Sequence, residues 1–285
     1  MTRYTLWVLC VDDEAFEVLQ ALSLPKMRLM RLSDHETDDL RSVKVDRTRG
    51  EYCWTLTPFV PGFVFKSDVT VARVTYLDAD LFFLKDPVAL FSEFEKSKKD
   101  VFITDHGYAP EFDRSATSGQ FCVQFMIFNR QGSEPVLTWW GDRCIEWCYS
   151  RLEEGKFGDQ KYLDDWPVRF DGAVHVCEQQ SLMLAPWNAM RFPYGGAVFF
   201  HFHELRISSE KLLSTGNYPL PKPLVKNVYM PYAKELRLVL EDLKDVGFEF
   251  RPQAEAPGKF SLLRQKLSSS LEFIWNNLPK KTLQW

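Results

Sequence analysis

The chain has 285 residues, 45% of them hydrophobic and 15% aromatic, enough for one large α/β domain or a domain with a substantial appendage. Lys+Arg total 35 against 39 Asp+Glu, and the resulting net charge of −4 excludes the basic footprint of a generic nucleic-acid binder, leaving a small molecule or a glycan as the expected partner. Six cysteines, at positions 10, 53, 122, 144, 148 and 177, follow no disulfide framework and read as reduced thiols of a cytosolic protein.

In chain order, strand-like and helix-like segments alternate, as in a mainly parallel sheet with helical crossovers. Tyr4 to Val11 reads as a first strand, cut off by Asp12, Asp13 and Glu14; it is too short and too acidic at its end for a signal peptide. No window is apolar for long enough to span a bilayer. A helix from Asp13 to about Ser23 is capped by Asp12 or Asp13, and Met27 to Leu32 is a second strand. The aromatic stretch EYCWTLTPFVPGFVFK is divided by Pro58 and Pro61. Strand Arg73 to Leu77 follows, then a helix from Val88 to Phe94, with Pro87 suited to its first turn. Strands are expected at Asp100 to Thr104 and Gln120 to Phe128, separated by a long Gly-, Ser- and Pro-containing loop. Pro135 to Arg151 has Leu137, Trp140, Cys144, Trp147 and Cys148 at helical spacing. Cys144 and Cys148 can share a metal there, but no second soft pair follows at zinc spacing, which favours packing.

Three stretches carry chemistry. VTYLDADLFFLKDP places Asp78 and Asp80 at i and i+2 after an apolar strand, so both carboxylates point the same way. At the carboxyl end of a strand such a pair can converge on magnesium or manganese and a diphosphate; a solvated strand end whose acids cap the next turn has the same pattern. GKFGDQKYLDDWP offers Asp159 either as a helix N-cap or as an acid that holds sugar hydroxyls, with the Gln160 amide beside it. In VFFHFH, strand alternation puts His201 and His203 on one face, as metal ligands or as satisfied core residues, the reading kept for His175.

Taken together, EYCWT, YLDADLFF, GDQKYLDDWP, APWN and HFH make the chain resemble GT-A glycosyltransferases. The likeness is greatest to the retaining, manganese-dependent branch that includes glycogenin and bacterial lipopolysaccharide galactosyltransferases, and it spans Tyr4 to Arg206. The resemblance implies an α/β GT-A (Rossmann-like) fold with a mostly parallel central sheet over residues 1–210; the residues beyond it, 211–285, are expected as a largely helical extension. It implies a cytoplasmic bacterial enzyme of polysaccharide synthesis that moves a hexose, with retention, from a nucleotide-sugar donor, UDP-sugar favoured, to a glycan or lipid-linked acceptor.

The implied roles fall on particular residues. Asp78, Asp80 and His201, with His203 as neighbour, would hold Mn2+ or Mg2+, and Asp78 would also touch the ribose. Asp159 and Gln160 would line the donor sugar, with Gln160 near the anomeric carbon. Val11 and Asp12 would contact the nucleobase, and Arg206 would replace a missing lysine at the diphosphate. Two further departures are Glu204, where the family has glycine after the histidines, and Cys122-Val123-Gln124, where many relatives have Asn-x-Gly.

Beyond Arg206, Tyr232 to Val246 reads as an amphipathic helix. The tail from Gly258 to Trp285 has five basic residues against Glu272 and an apolar set including Leu262, Leu263, Leu267, Leu271 and Trp275. Such a helix would either lie on the inner face of the cell membrane as a peripheral contact or pack on the protein. Two other functions share the acidic pair: a haloacid-dehalogenase-like phosphatase, in which the pair normally follows the first strand and not the third, and a non-catalytic binding protein that keeps the fold.

Overall fold

The structure, a computed structural model, describes residues 4–209, 212–251 and 282–284. Of the basic apolar tail from Gly258 to Trp285 expected as a helix, Thr282–Gln284 are described and form a strand, and the rest lies outside the described residues. The chain divides into two compact units, Met1–His201 and Phe202–Trp285.

The first unit opens with β1 (Leu6–Cys10), α1 (Asp13–Leu22) and β2 (Met27–Arg31), the two strands pairing in parallel. Asp12 is the residue that caps α1, its Oδ1 accepting from the Ala15 amide at 2.8 Å, and Asp13 and Glu14 suit the positive end of the helix. Helices α2 (Asp38–Lys44), α3 (Arg49–Leu56) and α4 (Val60–Ser67) follow. Thr48 and Glu51 form a reciprocal capping box on α3. Pro58 and Pro61 do not break this region. Each stands in the first turn of a helical segment, where no backbone donor is needed. Leu40, Tyr52, Leu56, Phe63 and Val64 form one core cluster with Met30 and Leu32.

Next come β3 (Arg73–Leu77), β4 (Leu81–Phe83), α5 (Val88–Ser97), β5 (Val101–Asp105), the short α6 (Ser115–Ser118), β6 (Phe121–Asn129) and α7 (Glu134–Glu146). The unit closes with α8 (Trp166–Arg169), β7 (Val174–Val176), β8 (Met183–Leu184) and β9 (Phe199–His201). An α/β fold is therefore present, but its sheets are mixed. One has the order β3-β6-β5-β7, with β6 antiparallel to both neighbours, and another the order β4-β9-β8. β5 and β6 are joined by a loop carrying two short helical turns, Pro110–Phe112 and Ser115–Ser118, after which β6 returns antiparallel to β5.

Buried side chains lie in two clusters around the β5–β6 pair. Phe121, Val123, Met126 and Phe128 join Trp140 of α7 and Trp166 of α8, whereas Phe125 and Ile127 join Leu90 and Phe94 of α5 and Phe199 of β9. The change of side within β6 coincides with a register shift. As the β5 position moves from Phe102 to Thr104, its partner on β6 moves from Ile127 to Cys122, which leaves extra residues of β6 without a matching β5 partner and re-aims the side chains there.

Two expected elements end early. Helix α7 stops at Glu146, and Trp147 is extended, so Trp147 and Cys148 are buried beyond the helix. Strand β9 stops at His201, so His203 does not share a strand face with it.

The second unit contains β10 (Arg206–Ser209), β11 (Leu212–Ser214), α9 (Lys222–Leu224), α10 (Met230–Asp245) and β12 (Thr282–Gln284), the three strands forming an antiparallel sheet. Phe202 stacks on Tyr232 with ring centres 4.1 Å apart and meets Tyr229 edge-on at 5.1 Å. Glu204 has φ +62, a left-handed conformation that an L side chain adopts at a cost of about 1–2 kcal/mol.

The APWN segment is a brace. Asn188 donates from Nδ2 to the carbonyls of His106 (2.8 Å) and Met183 (3.1 Å), while its Oδ1 accepts from the Ala185 amide at 2.8 Å. Since Asn188 is 1% exposed, Asn188→Ala is expected to lower stability by about 2–4 kcal/mol in urea unfolding, because it leaves buried partners unmet. A change under about 0.5 kcal/mol would contradict that role.

Candidate metal centre

Strand register builds the site. The last paired residues of β3 are Tyr76 opposite Met126 and Leu77 opposite Phe125. The ladder continues one step, with the Asp78 amide donating to the Gln124 carbonyl at 3.0 Å. A tight turn then leads into β4, whose first residue, Leu81, pairs with His201 of β9. Asp78 and Asp80 therefore leave one strand beside Gln124 and enter the next beside His201.

Ligand atoms of Asp78, Asp80 and His201 all lie within 4.8 Å of one another. His201 Nε2 is 3.0 Å from Asp80 Oδ1 and 3.9 Å from Asp78 Oδ2. On the other side of the ring, Nδ1 is 2.9 Å from Gln124 Oε1, and the Trp187 indole meets the ring edge-on at 5.2 Å. That indole is itself held by a hydrogen bond from Nε1 to the His106 carbonyl at 2.9 Å. The Tyr76 hydroxyl donates to Asp78 Oδ1 at 3.1 Å.

Asp159 is 2% exposed, and it does not serve as a helix cap: its side chain makes no capping bond to the turn Gln160–Asp165. Its main-chain carbonyl instead accepts from Trp140 Nε1 at 2.9 Å. Gly158 before it has φ +52, and a Cβ there would come within 3.3 Å of the Trp54 ring, which explains the glycine of the GDQ sequence. The Gln160 amide donates to the Ser118 carbonyl at 2.8 Å.

The electrostatics are those of crowded acids. Burial pushes the Asp159 carboxyl up to about 7, against a hydrogen bond with Thr57 that lowers it, and the charge on Asp78 raises it further. Burial also raises Asp78, with His201 opposing and Asp80 adding to the rise. For His201, burial works downward, but the hydrogen bond and charge of Asp80 and the charge of Asp78 carry it above its ordinary value. Cys122 is held well above the usual thiol range by burial and then by Asp78, so it is a neutral, inert thiol.

Two carboxylates and one imidazole nitrogen form a hard-to-borderline donor set suited to magnesium or manganese, with the nitrogen favouring manganese. The residues fit such an ion. Two acids, Asp78 and Asp80, lie beside a single imidazole, and Asp159 Oδ2, which feels the Asp78 charge, is buried with no hydrogen-bond partner among the described residues, so the local charge is short of cations.

Val11 and Asp12 line a cleft of about 120 Å³ at the carboxyl end of β1 and β2, with Arg31, Ser33, Glu36 and Lys44; Asp12 there also pairs with Arg49 at 2.5 Å. His203 and Arg206 belong to the second unit, where the His203 ring lies 3.9 Å from a Glu204 carboxylate oxygen and edge-on to Tyr218. Sequence reasoning missed Tyr76 and Thr57 as neighbours of the acids and Trp187 as a neighbour of His201, and it treated Gln124 only as a departure from a pattern. Two of these were readable: Tyr76 is two residues before Asp78 on the same strand face, and Gln124 is the only strongly polar side chain in FCVQFMIF.

No profile of a known protein family matches the chain. Among solved structures it is similar to mouse xyloside xylosyltransferase 1 in its apo form (15% identical, 76% of this chain and 87% of that one, TM-score 0.47). It is also similar to a glycosyltransferase involved in glycosylation of the major capsid of PBCV-1 (10% identical, 71% and 94%, TM-score 0.45). Of curated proteins, the uncharacterized protein YfnD of Bacillus subtilis is 29% identical over 267 residues, 87% of this chain and 84% of that protein. The uncharacterized protein YfnF of the same organism is 30% identical over 273 residues, 86% of each. With that identity over most of both lengths, the chain belongs to the protein family of Bacillus subtilis YfnF.

Proposed function

We propose that this protein is a metal-dependent glycosyltransferase, moving a hexose with retention from a nucleotide-sugar, a UDP-sugar first among them, to a glycan or lipid-linked acceptor. The observation that carries the reading is the convergence of Asp78, Asp80 and His201 at the end of β3, in a unit that also has a polar cleft where β1 and β2 end. In this reading Asp78, Asp80 and His201 hold Mn2+ or Mg2+, which when bound offsets the charge that grows on a departing diphosphate. Val11 and Asp12 are assigned to the base.

Asp159 and Gln160 act on the sugar. Asp159, half-protonated near neutral pH, can accept a hydrogen bond from a sugar hydroxyl or donate one to it, and the Gln160 amide can lie beside the anomeric carbon without taking a proton. No carboxylate is assigned as a base, because same-face attack leaves the departing phosphate to take the acceptor proton. The transition state is oxocarbenium-like. Among the described residues no helix is long and apolar enough to cross a membrane. A cytoplasmic enzyme reaching a lipid-linked acceptor through its basic tail is part of the proposal.

Two outcomes check this reading. A UDP-sugar with Mn2+ should raise the melting temperature by several degrees, the scale set by about 2.7 kcal/mol at a hundredfold excess over Kd, and the rise should vanish in Asp80→Ala. A rise that needs no metal, or hydrolysis of simple phosphomonoesters without any nucleotide effect, would contradict it.

The second concerns Asp159. Its carboxyl rises from an ordinary 3.8 to about 7 on folding, so the folded state binds the extra proton. In the metal-free protein, stability is then greatest at the acid end and falls as pH rises through that window, by on the order of 4 kcal/mol. Asp159→Asn should flatten this slope and be the more stable protein at pH 8 in urea unfolding; an unchanged slope would contradict the assignment.

A further inference from the structure

Gln124 breaks the pattern of its strand. Cys122, Val123, Phe125, Met126, Ile127 and Phe128 are buried apolar residues of β6, and Gln124 is 0% exposed among them. Its Nε2 is buried and makes no hydrogen bond among the described residues. An unmet buried donor costs about 1–3 kcal/mol, so an apolar residue of similar size would give a more stable core. The polar end is retained where local packing disfavours it, and such conflicts concentrate at functional positions.

The geometry gives the reason. Gln124 lies in the irregular part of β6, between the Ile127 and Cys122 pairings to β5, and its carbonyl is bonded to the Asp78 amide. From there its Oε1 reaches His201 Nδ1 at 2.9 Å, while Nε2 of the same ring faces Asp80 Oδ1 at 3.0 Å. An amide oxygen can only accept, so the ring proton must be on Nδ1. A metal-ligating histidine is commonly fixed in this way by an acceptor on its far nitrogen. The reverse orientation, with the amide NH2 on Nδ1, would keep the proton on Nε2, where it would donate to Asp80 and close the site to a cation.

We propose that Gln124 is a positioning residue for the cation site: its amide oxygen holds the imidazole proton on Nδ1 and presents the Nε2 lone pair of His201 alongside the Asp78 and Asp80 carboxylates. The role rests on the reading that these three residues take a divalent ion. Gln124 itself touches neither ion nor substrate.

The test uses the full chain with two readouts. In Mg2+-loaded wild-type protein, two-bond 1H–15N correlations of His201 should place the proton on Nδ1; a proton on Nε2 overturns the proposal without recourse to any variant. In Mn2+ titrations, Gln124→Met, similar in size but with no amide oxygen, should bind about ten- to a hundredfold more weakly than wild type while unfolding at the same or higher urea concentration. Equal affinity for Gln124→Met and wild type overturns the positioning role. Asp80→Ala separates the two levels: if wild type takes up no Mn2+, or Asp80→Ala takes it up equally well, the cation site itself is wrong and the role of Gln124 falls with it.

Discussion

Negative charge held out of water is the constraint around which the first unit is arranged. Asp78 feels the charge of Asp80, and Asp159 that of Asp78, while the His201 imidazole lies within ion-pair distance of Asp78 and Asp80. Like charges in a low-dielectric setting can persist only if they are protonated or if a cation joins them. The protein uses both routes in part. Asp159 is pushed to where it keeps a proton near neutrality, whereas Asp80, half-exposed, remains open to solvent and to a ligand.

What holds these groups in place is apolar. The β5–β6 pair is covered by aromatic side chains in both clusters, and the acids emerge only where the ladders run out. The register of β3 on β6 sets Asp78, that of β4 on β9 sets His201, and Trp140 fixes the backbone of Asp159 from the core. Trp187, anchored by the Asn188 turn, limits the ring of His201 from a further side. A site built on strand ends in this way keeps its geometry without the metal, which lowers the ordering entropy when a ligand binds.

Much of this was legible in the sequence, for physical reasons. The Asp-x-Asp pair was visible because strand alternation makes i and i+2 neighbours, and β1, β3, β5 and β6 were visible as apolar runs between turn residues. The pairing of β9 with β4 was not, because the likeness that set His201 beside the acids said nothing of which strand carries it there. Antiparallel β6 was missed because periodicity gives a strand but not its direction. His203 was placed on the face of His201 by extending alternation past the end of β9. The part played by Gln124 was hidden because a single polar residue in an apolar strand has no meaning until its partner across the sheet is known.

The account stands on one coordination geometry, and anomalous diffraction from crystals grown with Mn2+ and a nucleoside diphosphate measures it directly. The expected map has one strong peak bounded by the side chains of Asp78, Asp80 and His201, with Gln124 behind the imidazole. A map with no peak there, or with Asp80 and His201 turned to separate surfaces, would contradict it.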